Sequence, residues 1–500
     1  MKTEPRSYLT KQSIDSPMKG IAKDAVVYMP AKAIPAVTGI LAVAVYTRLL
    51  EPEEYGLYVL AIAAISMTTS IGFEWLDRAI LRYFEEYRQS GRLAEFTSTI
   101  VLSLVGIVVL VGLVWHVTVA FLATWLSYDL FILLRVGAFV LITQVSFAIV
   151  LALKRARRES ATYALYSALN ALGKLGIAVL LINFLDLGAR GILWGMVTSA
   201  GAILLYEICR SYGRWRLRFS HFSKGLMAQF LIYGLPLTGV SMASLILAYA
   251  DRYMIGYFLG AADVGTYAAS YNISNMSVLL IAGILMLAAY PVIVHDFETR
   301  GGSSTANLLT RTTALNIVSL MPIVFGITAL YREVGSIFLG AAFQAGHEII
   351  PWVSWGAFCF SLTQYAYKPF ELKKRTGLLL CLVVIAAALN VTLNLFFIPR
   401  FGILGAAYST LLSYFAYLVS AWVVSRKLLT WPLPWSSFAK ALTASLVMYA
   451  VLIYAKAQVS TNLGFLTLEV ALGAAVYCLS LCILREESAL RALRYLSSRV

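Results

Sequence analysis

Three cationic side chains lie inside long apolar stretches of the sequence, where an unpaired charge is costly. They are Lys32, Arg135 and Lys174, each in a separate hydrophobic segment of the first two hundred residues. An ionisable residue within a membrane segment is a functional candidate by default. The three cations therefore predict a binding site for an acidic or phosphorylated ligand, and we expect them to line one aqueous cavity.

Two of these cations continue polar stripes on helices that are otherwise apolar. Lys174 shares a helical face with Tyr163, Ser167 and Asn170, at a spacing that places all four side chains in line. Such a stripe predicts contact with a water-filled space. The structural alternative for Lys32, Arg135 and Lys174 is that each long side chain extends toward the membrane surface and contributes only to local structure.

The other two cations lie near polar residues or near prolines that interrupt the helix. Arg135 shares a face with Tyr128 and Ser146. Lys32 follows Tyr28 by one turn and lies between Pro30 and Pro35, which interrupt helical hydrogen bonding and permit bending.

The elements that carry these residues are predicted to be membrane-spanning helices. Hydrophobic residues make up 60% of the chain and charged residues 13%, which excludes an ordinary soluble globular protein. A transmembrane β-barrel would show alternating segments of about ten residues, so the predicted fold class is all-α and polytopic. Apolar runs of about 20 residues, long enough to cross the bilayer as helices, occur at approximately 25–47, 56–76, 98–120, 129–151, 161–183, 190–209, 229–250, 265–290, 308–330, 349–367, 377–397, 402–424, 440–456 and 463–484, fourteen in all.

The net charge of +15 reflects basic residues in alternate loops. With the N-terminus on the inside, 31 of the 40 lysines and arginines fall in inside segments, six in outside loops and three within spans. This positive-inside pattern predicts an even number of spans with both termini in the cytoplasm. It also explains the charge through anionic membrane lipids, with no nucleic-acid partner. The cluster at 154–158 is a further candidate for capture of phosphate headgroups.

No catalytic or metal-binding pattern accompanies these features. The five cysteines and four histidines are scattered without metal-ligand spacing, and the sequence has no nucleotide-binding P-loop. We therefore expect no metal, no cofactor and no enzymatic activity. The polar first 24 residues lack the apolar core of a removable signal peptide. The drive for transport stays open, because carboxylates that could exchange protons lie at or inside span ends, at Glu74, Asp77, Glu207, Glu348 and Glu469.

A repeat with a period near 210 residues divides the chain into two similar halves. The segment that starts at Glu54 corresponds to the one that starts at Asp263, an offset of 209, and each follows an apolar helix that ends in an arginine, Arg48 or Arg252. Asn183 and Asn394 are both followed eight positions later by Gly-Ile-Leu. Six helices per half give two lobes of the same orientation, an architecture typical of transporters.

At these residues the chain resembles the polysaccharide and O-antigen flippase branch of the multidrug, oligosaccharidyl-lipid and polysaccharide (MOP) exporter superfamily. With the helix count, the resemblance covers nearly the whole chain. It is carried by four stretches: 47–58 (TRLLEPEEYGLY), 233–236 (YGLP), 251–267 (DRYMIGYFLG through VGTY) and 394–405.

The resemblance implies two six-helix lobes in a V, a central cavity and alternating access that moves a polyprenyl-diphosphate-linked oligosaccharide across the cytoplasmic membrane. It also implies membrane lipids, and a polysaccharide polymerase or glycosyltransferases, as partners. Many relatives have twelve helices, and a count of fourteen resembles the lipid II flippases. The expected organisation is a cytoplasmic segment 1–24, an N-lobe 25–209, a basic linker 210–228, a C-lobe 229–424, a cytoplasmic loop 425–439, two further helices 440–484 and a cytoplasmic tail 485–500.

The expected binding residues combine cations for the diphosphate with aromatic and amide groups for the glycan. Arg48 and Arg252 sit beside acidic residues, so an interfacial anchor or an internal ion pair is an equal alternative for both. Tyrosines offer an apolar ring and a hydroxyl, although such stripes more often serve packing. The cations are Lys32, Arg135, Lys174, Arg48 and Arg252, and the candidate glycan contacts are Tyr28, Tyr163, Asn170, Tyr267 and Tyr271.

Three rival functions are alternatives to this interpretation. A drug and cation antiporter of the same superfamily needs acidic groups in mid-span, whereas the mid-span charges here are mostly basic. A membrane glycan polymerase or ligase needs an outward catalytic surface, and the longest outside loop, 331–349, is too short for one. A flippase for a lipid-linked cell-wall precursor or a teichoic-type polymer has the same binding chemistry and stays open.

Overall fold

The computed structural model describes residues 12–211, 219–456 and 463–486. Side chains are described from residue 30 onward within these ranges, apart from positions 31, 211, 237, 456 and 463. All regular secondary structure in the described ranges is helical. The predicted all-α class is therefore confirmed.

The first half of the chain forms six long helices. Pro52 occupies the first turn of α2, followed by Glu53 and Glu54, which suit the unpaired N–H groups and positive end of a helix. The helices are α1 (Gln12–Leu49), α2 (Pro52–Gln89), α3 (Leu93–Leu122), α4 (Tyr128–Ala156), α5 (Ser160–Leu185) and α6 (Gly188–Ser211).

The second half repeats this arrangement and adds two short helices and a C-terminal pair. A 3-10 turn at Phe219–His221 precedes it, and a longer 3-10 segment, Ala341–Ile349, follows α10. The helices are α7 (Lys224–Phe258), α8 (Ala261–Arg300), α9 (Gly302–Ala329), α10 (Tyr331–Phe338), α11 (Ile350–Ala366), α12 (Lys368–Leu372), α13 (Thr376–Phe401), α14 (Ile403–Ser425), α15 (Trp435–Lys456) and α16 (Leu463–Ile483).

Thirteen helices in the described ranges are long and apolar enough to cross a membrane. The remaining predicted span corresponds to α11, which has 17 residues, so the count of fourteen is approximate. The first predicted span, 25–47, lies within α1, which begins earlier, at Gln12. Hydropathy marks where a helix enters hydrocarbon, and this helix continues beyond that point.

Helices α1 to α6 pack mainly on one another, and α7 to α14 form a second set. In the first set α5 lies against α1 and α6, and α4 lies against α2, α3 and α6. In the second set α13 contacts α7 and α14, while α11 contacts α8, α9 and α14. The C-terminal pair is attached through α15, which packs on α9. The first set is called the N-lobe below and the second the C-lobe.

The two lobes meet along α1 and α2 of the N-lobe and α7 and α8 of the C-lobe. The end of the bundle with the arginine- and lysine-rich loops is called the basic face, and it includes the connections after α2, α4, α12 and α14. The other end is called the opposite face. Near the basic face α2 and α7 are in close contact, since a Cβ added to Gly234 would lie 2.5 Å from the backbone oxygen of Trp75.

Much of the outer surface is apolar, as a lipid-facing surface requires. On α3 the exposed fractions of Val109, Leu110 and Leu113 are 60%, 64% and 62%. So many exposed apolar side chains on a helix that is long enough to cross a membrane indicate contact with hydrocarbon.

Candidate functional site: a cavity between the lobes

The lobes enclose three adjoining chambers. The wide chamber, about 750 Å³, lies between α1, α8 and the α11–α12 corner. The side chamber, about 520 Å³, lies mainly against α2 and α4, and the deep chamber, about 230 Å³, lies farther toward the opposite face. Met276 lines both the wide and the deep chamber, and Ile62 and Met196 line both the side and the deep chamber. The three chambers therefore adjoin, and together they are called the cavity below.

The wide chamber contains three cations from three different elements. Lys32 comes from α1, Arg78 from α2 and Lys368 from the first turn of α12. Lys368 is buried, and its Nζ lies 2.7 Å from Glu371 Oε2 and 4.4 Å from the centre of the Tyr290 ring. Its charge is thus matched inside the protein.

Lys32 and Arg78 are the cations that the wide chamber leaves available. Lys32 is exposed and makes no ion pair with any residue that the structure describes. The Arg78 side chain is 47% exposed, and its Nη2 lies 2.7 Å from Glu74 Oε1. A guanidinium has five donors in a planar fork, so Arg78 retains donors for a second anion.

The side chamber is lined by carboxylates that are already paired. Glu74 accepts hydrogen bonds from Ser70 of its own helix and from Ser241 of α7, both at 2.8 Å, in addition to its pair with Arg78. Asp77 Oδ1 lies 2.7 Å from Arg155 Nη2. These pairs leave little negative charge to attract a cationic ligand.

The deep chamber is an aromatic pocket with two cations. Lys174 and Arg252 line it. The guanidinium of Arg252 lies 3.0 Å from Asp251 Oδ1 and stacks over Tyr271, 4.5 Å from the ring centre, so its charge is compensated. Four tyrosines, Tyr46, Tyr55, Tyr58 and Tyr249, complete most of the polar lining.

The cavity is closed toward the opposite face by a close crossing of α2 and α8. A Cβ added to Gly56 would lie 1.8 Å from the Ala261 carbonyl oxygen, and one added to Gly265 would lie 1.9 Å from the Pro52 carbonyl oxygen. No side chain fits between two backbones at this distance, so glycine is required on both helices.

The segment between α9 and α11 covers this crossing from outside. The amide of Gly340 donates a hydrogen bond of 2.9 Å to Thr47 Oγ1 at the end of α1. Arg48 Nη2 donates to the carbonyl oxygen of Ile337 at 2.6 Å, and the Phe343 ring packs edge-on against Tyr55. The segment predicted as a short outside loop, 331–349, is thus a helical cover that connects the C-lobe to the N-lobe.

The structure places two of the three mid-span cations in the cavity. Lys32 lines the wide chamber and Lys174 the adjoining deep chamber. Arg135 lines neither; it is exposed on α4 beside Phe131 and the exposed Phe139. The shared face with Tyr128 and Ser146 therefore does not bring Arg135 into these three chambers, because helical spacing cannot tell a cavity face from a lipid face. Arg48 is held by backbone carbonyl groups at the opposite face.

The predicted glycan contacts lie mostly in packed regions. The side chains of Tyr163 and Asn170 on α5 are buried. The backbone carbonyl oxygen of Asn170 accepts a hydrogen bond from Ser199 of α6. Tyr267 donates to Asp251 Oδ2 at 2.6 Å, and Tyr271 stacks on Arg252. These residues support the chamber walls rather than line them. Tyr28 lies outside the residues whose side chains are described.

Lys154, the first residue of the basic cluster 154–158, does not have the role predicted for that cluster. Lys154 is buried, and its Nζ lies 2.8 Å from Glu207 Oε1 and 3.0 Å from Glu159 Oε2. Tyr166 donates to the other oxygen of Glu207 at 2.7 Å. Lys154 therefore ties α4 to α5 and α6 and does not face headgroups.

Sequence reasoning missed Arg78 and Lys368, which it assigned to the basic loops. One available signal was the i, i+4 spacing of Glu74 and Arg78, which places both on one face of α2. The tyrosines of the deep chamber carried no comparable signal.

The comparisons with known proteins agree with this geometry. The family described as "Polysaccharide biosynthesis protein" matches residues 21–295, more than half of the chain. The chain belongs to this family. This match confirms the resemblance to a family of polysaccharide biosynthesis.

Two curated relatives carry transport names. The "Probable flippase AglR" of Haloferax volcanii is 26% identical over 371 residues, which cover 72% of this chain and 74% of that protein. The "Succinoglycan biosynthesis transport protein ExoT" of Rhizobium meliloti is 24% identical over 314 residues, which cover 60% of this chain and 58% of that protein. The chain is thus similar to proteins of glycan biosynthesis that are named as a flippase and a transport protein.

Solved structures share the fold at low sequence identity. "Lipid II flippase MurJ, inward closed conformation" superposes with a TM-score of 0.74 at 14% identity, covering 92% of this chain and 98% of that one. An inward-facing MATE family transporter of the MOP superfamily gives 0.65 at 13% identity, covering 81% and 97%. The two-lobed architecture of this chain is that of these transporters.

Proposed function

We propose that this protein moves a polyprenyl-diphosphate-linked oligosaccharide across the cytoplasmic membrane by alternating access between its lobes. The basic face is cytoplasmic in this proposal, consistent with the distribution of lysine and arginine. The names of the relatives support glycan flipping in general. The lipid carrier, its diphosphate and the mechanism are the steps proposed here.

The observation that carries the proposal is the pair of available cations in the wide chamber. Lys32 and Arg78 approach the same space from α1 and α2, and the neighbouring carboxylates Glu74 and Glu371 are paired with Arg78 and Lys368. A diphosphate is a compact anion whose oxygens accept charge-assisted hydrogen bonds from both. Its binding compensates the charge of Lys32, which is otherwise unfavourable in a membrane interior, and uses the donors that Arg78 retains beside its pair with Glu74.

The closed crossing of α2 and α8 defines which face of the cavity is sealed in this state. Gly56 and Gly265 are in backbone contact at the opposite face, while the wide chamber and its cations lie toward the basic face. Alternating access then consists of parting α2 from α8 at the opposite face while the lobes close at the basic face. The N-lobe (α1–α6) and the C-lobe (α7–α14), which correspond to the expected units 25–209 and 229–424, are the proposed moving units.

The paired carboxylates of the side chamber argue against a cation antiporter. Asp77 is held by Arg155, and Glu74 by Arg78 and two serines, so a drug cation would have to displace an existing partner. A lipid-linked cell-wall precursor carries the same diphosphate, and the choice of glycan in the assay separates it from other lipid-linked oligosaccharides.

The test is transport in proteoliposomes that contain the purified full chain and a polyprenyl-diphosphate oligosaccharide. Glycan that reaches the other leaflet is measured with a membrane-impermeant glycosidase. We expect wild-type transport, and a loss of tenfold or more in Lys32→Gln and Arg78→Gln, because each removes a charge-assisted bond worth about 1.5–3 kcal/mol. Arg311→Gln, on an exposed position of α9, is the matched control and retains transport.

Two results would overturn the proposal. One is wild-type protein that moves a lipophilic cation but no diphosphate lipid, which would favour an antiporter. The other is equal transport in wild type, Lys32→Gln and Arg78→Gln, which would remove the wide chamber from the path.

A further inference from the structure

The deep chamber contains a cation that no residue of the described chain compensates. Lys174 lines it from α5, and none of its lining residues is acidic. The lysine makes no ion pair with any residue in the described ranges, unlike Arg252 in the same chamber, which is paired with Asp251. An uncompensated ammonium group within the membrane is unfavourable, so a ligand is expected to supply the anion.

The position of Lys174 separates it from the proposed diphosphate site. Lys174 lines the deep chamber, whereas Lys32 and Arg78 line the wide chamber. The two chambers adjoin at Met276, so one extended ligand can occupy both. A ligand whose diphosphate lies at Lys32 and Arg78 therefore places another of its groups beside Lys174, which is available for a second negative charge.

The walls around Lys174 identify the part of the ligand that carries this group. Tyr46, Tyr58 and Tyr249 line the same chamber. Each presents an apolar ring and a hydroxyl, which suits a sugar ring with its apolar C–H face and polar rim better than an acyl chain or a second phosphate lipid. The anion is thus attached to a sugar.

We propose that Lys174 binds the carboxylate of an acidic sugar, so that this flippase prefers oligosaccharides with a uronic-acid-type residue. The inference rests on the proposed transport of a diphosphate-linked oligosaccharide. It adds a selectivity determinant in the deep chamber that is separate from the cations of the wide chamber.

The test compares two lipids with the same polyprenyl-diphosphate carrier and glycans that differ in one residue, glucuronate in one and glucose in the other. Wild type is expected to move the glucuronate lipid about tenfold faster, the effect of one charge-assisted hydrogen bond. Lys174→Gln is expected to lose this preference by slowing only the glucuronate lipid. Lys174→Arg keeps the charge and is expected to keep the preference, and Arg311→Gln controls for loss of a membrane cation.

The outcomes separate this inference from the function on which it rests. Equal rates for the two lipids in wild type, or an equal slowing of both in Lys174→Gln, would overturn the acidic-sugar site while leaving transport established. The second result would assign Lys174 to the diphosphate during its passage. Failure of wild type to move either lipid would instead overturn the proposed function.

Discussion

Gly56 and Gly265 touch backbone to backbone where α2 crosses α8, and they are equivalent positions of the internal repeat. A Cβ atom added to either glycine would lie within 2 Å of a carbonyl oxygen on the partner helix. Their offset is 209 residues, the same as that between Glu54 and Asp263. The contact that seals the opposite face is therefore made by the same position in each half of the repeat.

Substitution of Gly56 by alanine is expected to favour the state that is open at the opposite face. The added methyl group has no space in the closed crossing, and overpacking of this kind costs on the order of 2 kcal/mol. The population of the closed state relative to the open one then falls by more than tenfold. The measurement is the rate at which a charged thiol reagent, added at the opposite face, labels Ala42→Cys in the deep chamber of a protein with its native cysteines replaced.

The matched control for this experiment is Gly112→Ala. Gly112 lies on α3, and a Cβ there has no neighbour within 4 Å, so labelling at position 42 is expected to stay at the wild-type rate. Slow labelling in Gly56→Ala, equal to that of the control, would show that the crossing is not the seal.

Thr47→Val is expected to loosen the helical cover over the crossing. The valine keeps the shape but removes the acceptor for the Gly340 amide, and an unsatisfied buried donor costs about 1–3 kcal/mol. Hydrogen exchange of the 331–349 segment should quicken by about tenfold, with little change elsewhere. In Thr328→Val the lost hydroxyl bonds only to Val324 of its own helix, and we expect no change in the cover. Unaltered exchange in Thr47→Val would mean that the bond does not hold the segment.

The sequence was sufficient to predict the helices and the repeat because both depend on local pattern. Apolar runs locate spans, and the match of Glu54-Tyr55-Gly56 with Asp263-Val264-Gly265 located the pseudo-symmetric helices. The contact between the two glycines was not predictable, since it depends on how the lobes are rotated against each other in this state.

The candidate site was only partly predictable for a related reason. Lys32 lines the wide chamber and Lys174 the deep chamber, but hydropathy placed Arg78 in a loop. Helix α2 has 38 residues, about 57 Å at the helical rise, and so continues well beyond the hydrocarbon. A residue at the end of an apolar run can therefore still line a cavity between lobes.

Glu207→Gln is expected to destabilise the N-lobe more than removal of both charges does. Glu207 and Lys154 are buried and 2.8 Å apart. Loss of one partner leaves a buried charge less well compensated, at a cost on the order of 3 kcal/mol. The double variant Lys154→Met with Glu207→Gln removes that charge and should recover part of the loss. Thermal unfolding of the detergent-solubilised protein measures both, and additive effects of the two changes would contradict the coupling.

Arg135→Gln is expected to leave transport within about twofold of wild type, although the charge lies in the middle of a span. The side chain is exposed on α4, near Phe131 and Phe139, and lines none of the three chambers. A long side chain in this setting can extend its charge toward the membrane surface, and substitutions at exposed positions usually change stability by less than about 0.5 kcal/mol. The comparison is with Lys32→Gln in the same proteoliposome assay, at equal protein content. A loss in Arg135→Gln as large as that in Lys32→Gln would place α4's outer face on the transport path, which would require the lobes to rotate that face inward in the other access state.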